Sequence, residues 1–308
     1  MTSAVVFAYH NVGVRCLAVL LEHGIDVKRV VTLRDKPDEN IWFESVAALA
    51  AAHHIPVAMP DDPNTPEFIA QVAALKADFL FSFYYRAMLK PGMLDSATRG
   101  AYNMHGSLLP KYRGRVPINW AIIMGETETG ATLHEMVEKP DAGRIVDQER
   151  VPILPDDTAL QVFGKVTKAA ETVLDRVLPK LIDGTVEPRE QDLLKGSYYG
   201  GRKPADGIID WRDSAQNIHN LVRALSPPYP GATTRVCGQA VKVTRSRLAP
   251  AHFEHQNPSM LNVSSERVIA LCGDGHMLRI IEAEIDGQPY NEIMLAVRLG
   301  IGVYSLGT

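Results

Sequence analysis

The chain has 308 residues, a hydrophobic fraction of 46% and a formal net charge of -4 at pH 7. Its length suits one large domain, or a domain with a smaller companion, of ordinary globular composition. The charge gives no electrostatic reason to expect nucleic acid as a partner, and no apolar run approaches the roughly 20 residues that span a bilayer.

The three cysteines, Cys16, Cys237 and Cys272, lie far apart in the chain. They form neither a disulfide framework nor a spacing typical of metal ligands, so we expect a reducing environment and no metal site. The first residues, Met1-Thr2-Ser3, lack the basic segment that opens a signal peptide. These features predict a cytoplasmic protein.

The first half of the chain alternates strand-like and helix-like segments. Such alternation is typical of βαβ units, and it predicts an α/β fold with a Rossmann-like parallel sheet and helices on both faces. The predicted strands are residues 4–9, 27–33, 56–59, 78–83, 101–105, 129–136 and 145–153. The predicted helices are residues 14–21, 44–53, 66–75 and 117–124.

A longer helix is predicted from the helical spacing of apolar residues between 160 and 181. Asp157 or Thr158 is its expected cap, and Gly184 its expected end. Residues 195–207, rich in glycine and basic side chains, predict a linker or crossing loop. A helix at 214–225 and short strand-like runs at 232–236, 239–243, 267–271 and 277–285 follow. They predict a small OB-like β-barrel, and we expect domains at 1–203 and 204–308.

Several familiar motifs are absent. The first predicted strand is followed by His10-Asn11-Val12-Gly13 rather than GxGxxG, and the chain has no P-loop pattern. His134-Glu135 begins like the zinc motif HExxH, but residue 138 is glutamate. The sequence therefore argues against a nicotinamide cofactor on the first turn, against a P-loop nucleotide and against this zinc site.

The most informative segment is residues 103–115, which begins at a predicted strand end. Asn103 and His105 are two residues apart, so both side chains point to the same side of an extended strand. Gly106, Pro110 and Gly114 indicate a loop directly after them. An amide that stabilises an oxyanion, next to an imidazole that moves a proton, is suited to acyl transfer.

These residues resemble the folate-dependent formyltransferases, which act on glycinamide ribonucleotide, methionyl-tRNA or sugar nucleotides. The resemblance extends over nearly the whole chain in the family's motif order. It rests on residues 6–10, 81–86, 103–115, 125–130, 141–143, 220–224 and 229–232.

The resemblance implies three catalytic residues. Asn103 would donate to the formyl oxygen, His105 would transfer the proton of the attacking amine, and Asp141 would hold the imidazole. A histidine with an ordinary pKa of about 6.5 can transfer a proton at neutral pH.

The resemblance also implies binding residues, although each of them alone is also consistent with a core, turn or solvated position. Expected contacts with the cosubstrate 10-formyltetrahydrofolate are Ala87, Met88, Leu89, Arg115, Val137, Glu138, Lys139, Pro140 and Asp141. Expected contacts with the acceptor substrate are Tyr84, Arg86, Ser107 and Arg202. No metal is implied.

Within the family, the chain most resembles the formyltransferase domain of bacterial bifunctional polymyxin-resistance proteins. That domain formylates UDP-4-amino-4-deoxy-L-arabinose for lipid A modification. Methionyl-tRNA formyltransferase is the main alternative, but in residues 34–44 the acids offset the bases and offer no net attraction to phosphate. Another nucleotide-aminosugar N-formyltransferase, a formyltetrahydrofolate hydrolase and a non-catalytic binding module also remain open.

Proteins of that branch usually continue into an NAD-dependent decarboxylase domain, whereas this chain ends at Thr308. Two expectations therefore stay open. The chain is either one domain of a longer protein or a free-standing enzyme that is partnered with a decarboxylase.

Overall fold

The computed structural model describes residues 1–37, 39–252 and 259–307. The chain divides into two compact units. The first comprises residues 1–117, 128–151 and 164–200, and the second comprises residues 118–127, 152–163 and 201–308. The predicted domain boundary after residue 203 stays a prediction. Asp38, in the segment whose charge balance argues against tRNA, lies outside the described residues.

The first unit is built around a mixed sheet with the strand order β3-β2-β1-β4-β5-β7-β8. β1 pairs in parallel with β2 and β4, and β4 with β5, which confirms the predicted α/β sheet. The strands up to residue 199 are β1 (Ser3–Ala8), β2 (Asp26–Val31), β3 (Val57–Ala58), β4 (Phe79–Phe83), β5 (Gly100–His105), β6 (Arg113–Gly114), β7 (Glu128–Glu135), β8 (Ile145–Pro152) and β9 (Tyr198–Tyr199).

β7 runs antiparallel to β5, so the sheet is not parallel throughout. Alternating apolar patterns identify strands but carry no information about strand direction, which here depends on the path of residues 106–127 between β5 and β7.

Helices alternate with these strands along the chain. They are α1 (His10–Glu22), α2 (Val46–Ala52), α3 (Pro66–Ala73), α4 (Pro91–Leu94), α5 (Pro117–Ile123) and α6 (Ala159–Asp183). Thr158 caps α6 as predicted: its hydroxyl accepts from the Gln161 N–H at 3.4 Å, and the Gln161 side chain accepts from the Thr158 N–H at 2.8 Å. α4 was not predicted, because four residues are too few to show a helical period.

The strands β1 and β4 are buried along their whole length and form the centre of the sheet. Full burial of each large apolar side chain contributes about 1.5 to 3 kcal/mol. One apolar cluster contains Val5, Phe7, Leu80, Leu89 and Met93, and Tyr85 and Met136 pack against it. Because β1 separates β2 from β4, the chain order reverses there, and the carboxyl ends of these strands are the favoured position for a ligand site.

The second unit contains a closed antiparallel barrel, as predicted. Its strands follow the order β11-β10-β16-β12-β13-β14; a pairing of β11 with β14 closes the barrel, and β15 extends β14. The elements are α7 (Ala215–Leu225), β10 (Ala232–Val236), β11 (Gln239–His252), β12 (Met260–Val263), β13 (Val268–Leu271), β14 (His276–Ile285), β15 (Gln288–Asn291), α8 (Glu292–Leu299) and β16 (Gly302–Gly307).

The sequence did not predict every element of the barrel. β12, β15, α8 and β16 were missed, and β11 is longer than the predicted run at 239–243. Irregularities in the register between β11 and β14 interrupt the two-residue alternation of β11, so its pattern ends early in the sequence. Among the described residues, no helix is long and apolar enough to cross a bilayer.

Candidate active site

β5 carries Asn103 and His105, the two candidate catalytic residues that are close in sequence. Asn103 pairs with Ser82 of β4 on one side and with His134 of β7 on the other. His105 ends β5, and its side chain is buried. The predicted strand therefore holds the amide and the imidazole at its carboxyl end.

A backbone carbonyl sets the orientation of His105. The Nε2–H of His105 donates to the carbonyl oxygen of Tyr112 at 2.8 Å. This bond leaves Nδ1 as the ring nitrogen that takes up or releases a proton. Nδ1 lies 3.7 Å from the Oδ1 atom of Asp141. The structure thus brings His105 and Asp141 together although they are distant along the chain.

Asp141 lies between two imidazoles. Its Oδ1 atom is 3.7 Å from Nδ1 of His105 and 3.5 Å from Nε2 of His134, and its Oδ2 atom accepts the Gly114 N–H at 2.8 Å. Burial by itself raises the pKa of the Asp141 carboxyl. The positive charge that the two histidines carry when protonated and the Gly114 N–H outweigh burial, and together they hold this pKa well below its ordinary value.

His134 is the residue that sequence reasoning missed. Its Nδ1–H donates to the carbonyl oxygen of Glu135 at 2.8 Å, so Nε2 is the acceptor for the Asn103 side-chain N–H at 3.0 Å. His134 therefore orients Asn103 and also faces Asp141. The sequence contained one signal, a histidine within a predicted strand, but its importance follows from the register between β5 and β7.

A two-residue ladder supports the site. β6 pairs in parallel with β9, with the Arg113 N–H donating to the Ser197 carbonyl at 3.0 Å and the Arg115 N–H to the Tyr199 carbonyl at 2.9 Å. The rings of Tyr112 and Tyr199 stack at 5.4 Å. Residues 195–207 are thus not only a linker as predicted, because β9 forms through pairing with a distant segment that local patterns do not reveal.

Gly114 is required by this ladder. It has φ +99°, and a Cβ at this position would overlap with the Tyr199 carbonyl oxygen. Glycine alone combines this dihedral with such close backbone approach. The same residue donates its N–H to Asp141, so the ladder and the carboxylate share one anchor.

The two segments predicted to bind folate begin at one apolar cluster. Leu89 belongs to the cluster that Met136 packs against, while their neighbours Met88 and Val137 are 53% and 44% exposed. Glu138, Lys139 and Arg115 are exposed, and Ala87 and Pro140 are partly buried. The folate-binding role of these residues stays a prediction.

The residues predicted to bind the acceptor have different surroundings. The Tyr84 hydroxyl lies against Gly106, where a Cβ would overlap with it. Ser107 is fully buried, and its hydroxyl donates to the Lys111 carbonyl at 2.7 Å. Arg86 donates to Glu39 at 2.9 Å, and its guanidinium lies 4.5 Å from the centre of the Tyr9 ring.

Arg202 belongs to the second unit. Its Nη2 donates to the Asp206 carbonyl at 2.6 Å, and its guanidinium lies 5.4 Å from the centre of the Trp120 ring. Its Nη1 is buried without a hydrogen-bond partner among the described residues, and burial lowers the pKa of this guanidinium. Contact of Tyr84, Arg86, Ser107 and Arg202 with a substrate stays a prediction.

The cluster of Asn103, His105, Asp141 and His134 can perform acyl transfer. An oriented amide N–H stabilises negative charge on a carbonyl oxygen. An imidazole that has one ring nitrogen hydrogen-bonded to the backbone can transfer a proton through the other. An ionised carboxylate beside that imidazole stabilises its protonated form.

Solved structures share this fold. An N-formyltransferase from Helicobacter canadensis, in complex with folinic acid and dTDP-3-aminofucose, is 23% identical with a TM-score of 0.72, and the match covers 94% of this chain and 100% of that one. The sugar 3N-formyltransferase WlaRD, with dTDP and 5-N-formyl-THF, is 20% identical with a TM-score of 0.71, covering 94% and 99%.

HypX from Aquifex aeolicus, in complex with tetrahydrofolic acid, is 18% identical with a TM-score of 0.63. That match covers 94% of this chain but 45% of HypX. At these identities the three structures show a common fold.

Sequence profiles identify the family. The profile described as formyl transferase matches residues 15–178, more than half of the chain, and the profile described as formyl transferase C-terminal domain matches residues 202–293. The chain therefore belongs to the formyl transferase family, as its motifs predicted.

Proposed function

We propose that this enzyme transfers the formyl group of 10-formyltetrahydrofolate to the amine of a nucleotide-linked aminosugar, with UDP-4-amino-4-deoxy-L-arabinose as the first candidate. The observation that carries the proposal is the meeting of Asn103, His105 and Asp141 in one volume, with His105 Nδ1 at 3.7 Å from Asp141. The complex of the Helicobacter canadensis enzyme with folinic acid and dTDP-3-aminofucose supports this class of substrates.

Bound 10-formyltetrahydrofolate supplies the formyl carbon as the electrophile. One N–H of the Asn103 amide is committed to His134, and the second donates to the formyl oxygen as negative charge develops there. Nδ1 of His105 takes the proton that the amine loses as its nitrogen bonds to the formyl carbon, because Nε2 remains bonded to Tyr112. The bond between the formyl carbon and the folate N10 then breaks, and the imidazolium returns the proton to N10, which releases tetrahydrofolate. Asp141 stays ionised and stabilises the imidazolium that forms.

The choice of an aminosugar follows from the resemblance and from the charge of the chain. The net charge of -4 and the balanced charges of residues 34–44 disfavour a polyanionic tRNA. A UDP-linked aminopentose implies a cytoplasmic role in lipid A modification and polymyxin resistance, with an NAD-dependent decarboxylase as the partner enzyme.

The decisive experiment incubates the protein with 10-formyltetrahydrofolate and separate acceptors: UDP- and dTDP-linked aminosugars and methionyl-tRNA. Mass spectrometry then identifies the acceptor that gains a formyl group. Transfer to a nucleotide aminosugar is the expected result. Transfer only to methionyl-tRNA, or release of formate without any acceptor as in a hydrolase, would contradict the proposal.

The first mutational prediction concerns His105. We expect His105→Ala to lower kcat by about 10²- to 10⁴-fold, because the amine loses its proton acceptor. Circular dichroism checks that the fold is retained. His23→Ala is the matched control, since His23 pairs with Asp175 away from β5 and should leave kcat unchanged. Turnover of His105→Ala close to that of the wild type would contradict the mechanism.

A further inference from the structure

Arg113 is a buried cation without a partner among the described residues. The residue is 8% exposed, and its Nε atom is enclosed with no hydrogen-bond partner. Within the described ranges, the structure records no ion pair or hydrogen bond for its guanidinium. The backbone of Arg113 is bonded, through its N–H to the Ser197 carbonyl.

An enclosed guanidinium N–H without an acceptor is unfavourable unless something else supplies one, because the N–H loses its hydration. Arg223 of this chain shows the usual solution. It is 6% exposed, and its guanidinium donates to the Asn220 side chain at 3.0 Å and to the carbonyls of Leu154 and Asp157 at 3.4 and 3.1 Å. Arg113 is equally buried but has none of these acceptors.

The position of Arg113 connects it to the catalytic cluster. The preceding residue, Tyr112, accepts the Nε2–H of His105, and the following residue, Gly114, donates to Asp141. The β6–β9 ladder fixes the backbone on both sides of Arg113. The backbone that carries Arg113 is therefore held between two residues that contact the catalytic groups, which gives a ligand-binding residue a fixed position.

We propose that Arg113 binds an oxyanion of a cosubstrate, either a phosphate of the nucleotide sugar or the glutamate carboxylate of the folate. A planar guanidinium matches both groups, because two parallel N–H donors meet two oxygen atoms. The inference rests on the proposed function, since the two cosubstrates of that reaction supply the anion. Binding of the ligand then compensates the charge that the protein leaves unpaired.

The test compares the affinities of Arg113→Met and Arg113→Lys with that of the wild type. The probes are UDP, dTDP and folinic acid, measured by titration calorimetry. We expect Arg113→Met to weaken the affinity for one class of probe, nucleotide or folate, by about tenfold to a hundredfold. The affinity of Arg113→Lys should lie between those of the wild type and Arg113→Met, because lysine keeps the charge but lacks the two parallel N–H donors. Loss of nucleotide binding identifies the phosphate, and loss of folinic acid binding identifies the carboxylate.

Arg150→Met is the matched control. Arg150 is an exposed arginine of the same unit that pairs with Glu128, and its substitution should leave every affinity unchanged. Thermal unfolding of the ligand-free proteins gives a second readout. Removal of an uncompensated buried charge should leave the Tm of Arg113→Met equal to or above that of the wild type.

The proposal is overturned if Arg113→Met binds all three probes as the wild type does, if the wild type binds none of them, or if the variant has a lower Tm or fails to fold. The last outcome would mean that the guanidinium holds the structure together. The proposed function is tested separately, by transfer in the wild type. Failure of transfer to every aminosugar would overturn that function while the binding comparison still decides the role of Arg113.

Discussion

At the scale of single residues, the site depends on which ring nitrogen of each histidine is hydrogen-bonded to a backbone carbonyl. The Tyr112 carbonyl takes the Nε2–H of His105, and the Glu135 carbonyl takes the Nδ1–H of His134. These two bonds leave opposite nitrogens facing the Asp141 carboxylate. The backbone thereby determines where a proton can be taken up, and the carboxylate stays ionised beside it.

We expect Asp141→Asn to lower the free energy of unfolding by about 1 to 3 kcal/mol at neutral pH, because charge-assisted interactions are lost. The pKa of Asp141 is lowered in the folded state. Its stabilising contribution is therefore complete above the ordinary aspartate pKa of about 3.9, begins to decrease below that pH, and is lost as the pH falls further through the lowered folded value. Urea unfolding of both proteins between about pH 7 and pH 3 measures this change.

The control for this prediction is Asp175→Asn, because Asp175 is exposed and pairs with His23 at the surface. We expect this variant to differ little from the wild type at any pH. A stability difference between wild type and Asp141→Asn that widens as the pH falls would be inconsistent with a depressed carboxyl pKa.

At the scale of elements, two very short strands matter more than their length suggests. β6 and β9 contain two residues each, yet they hold the loop that contacts both His105 and Asp141. The long strands β5 and β7 contribute through their register, which sets Asn103 opposite His134. A shift of one residue in this pairing would turn one of the two side chains to the other face of the sheet.

The element-scale prediction concerns Gly114→Ala. The new Cβ would overlap with the Tyr199 carbonyl at a residue with φ +99°, so the β6–β9 ladder has to separate. We expect a loss of about 3 kcal/mol or more in the free energy of unfolding, together with reduced turnover. Denaturant unfolding and steady-state kinetics measure the two effects.

Gly184→Ala is the matched control for the dihedral alone. Gly184 has φ +71°, but among the described residues nothing lies within 4 Å of the position that a Cβ would take. Only backbone strain of about 1 to 2 kcal/mol is therefore expected. Equal losses in the two variants would show that the close approach to Tyr199 has no importance of its own.

At the scale of the whole molecule, each unit has its own apolar core. The core of the second unit contains Trp211, Leu261, Leu278 and other residues from the barrel strands and α7. Trp211 is 1% exposed, and its indole N–H donates to the Thr234 hydroxyl at 2.8 Å; that hydroxyl donates to the Gly307 carbonyl at 2.8 Å. A single hydroxyl thus bonds two polar groups from distant parts of the chain.

We expect Thr234→Val to destabilise the protein by about 1 to 3 kcal/mol, because both partners of the hydroxyl lose their bond inside the core. Thr234→Ser keeps the hydroxyl and should recover most of this loss. Urea unfolding followed by circular dichroism compares the three proteins. A Thr234→Val variant as stable as the wild type would mean that the two groups find other partners.

Local patterns predicted much of this fold. The helix α6 and the buried strands β1 and β4 follow from apolar spacing that does not depend on the rest of the chain. β9 and the full length of β11 were not predictable, because pairing with distant segments defines them.

By itself, the sequence determined the family, the α/β and barrel classes, and the residue types available for catalysis. Motifs and apolar periodicity are properties of short segments of the chain, so they can be recognised without the tertiary structure. Only the tertiary structure decided that Asp141 lies between His105 and His134, and that the two-residue β6–β9 ladder holds the loop that contacts His105 and Asp141. It also decided that the Arg113 side chain is buried with no partner in the described part of the chain. Each of these depends on contacts between residues distant along the chain, and such contacts form only when the sheet and its loops fold together.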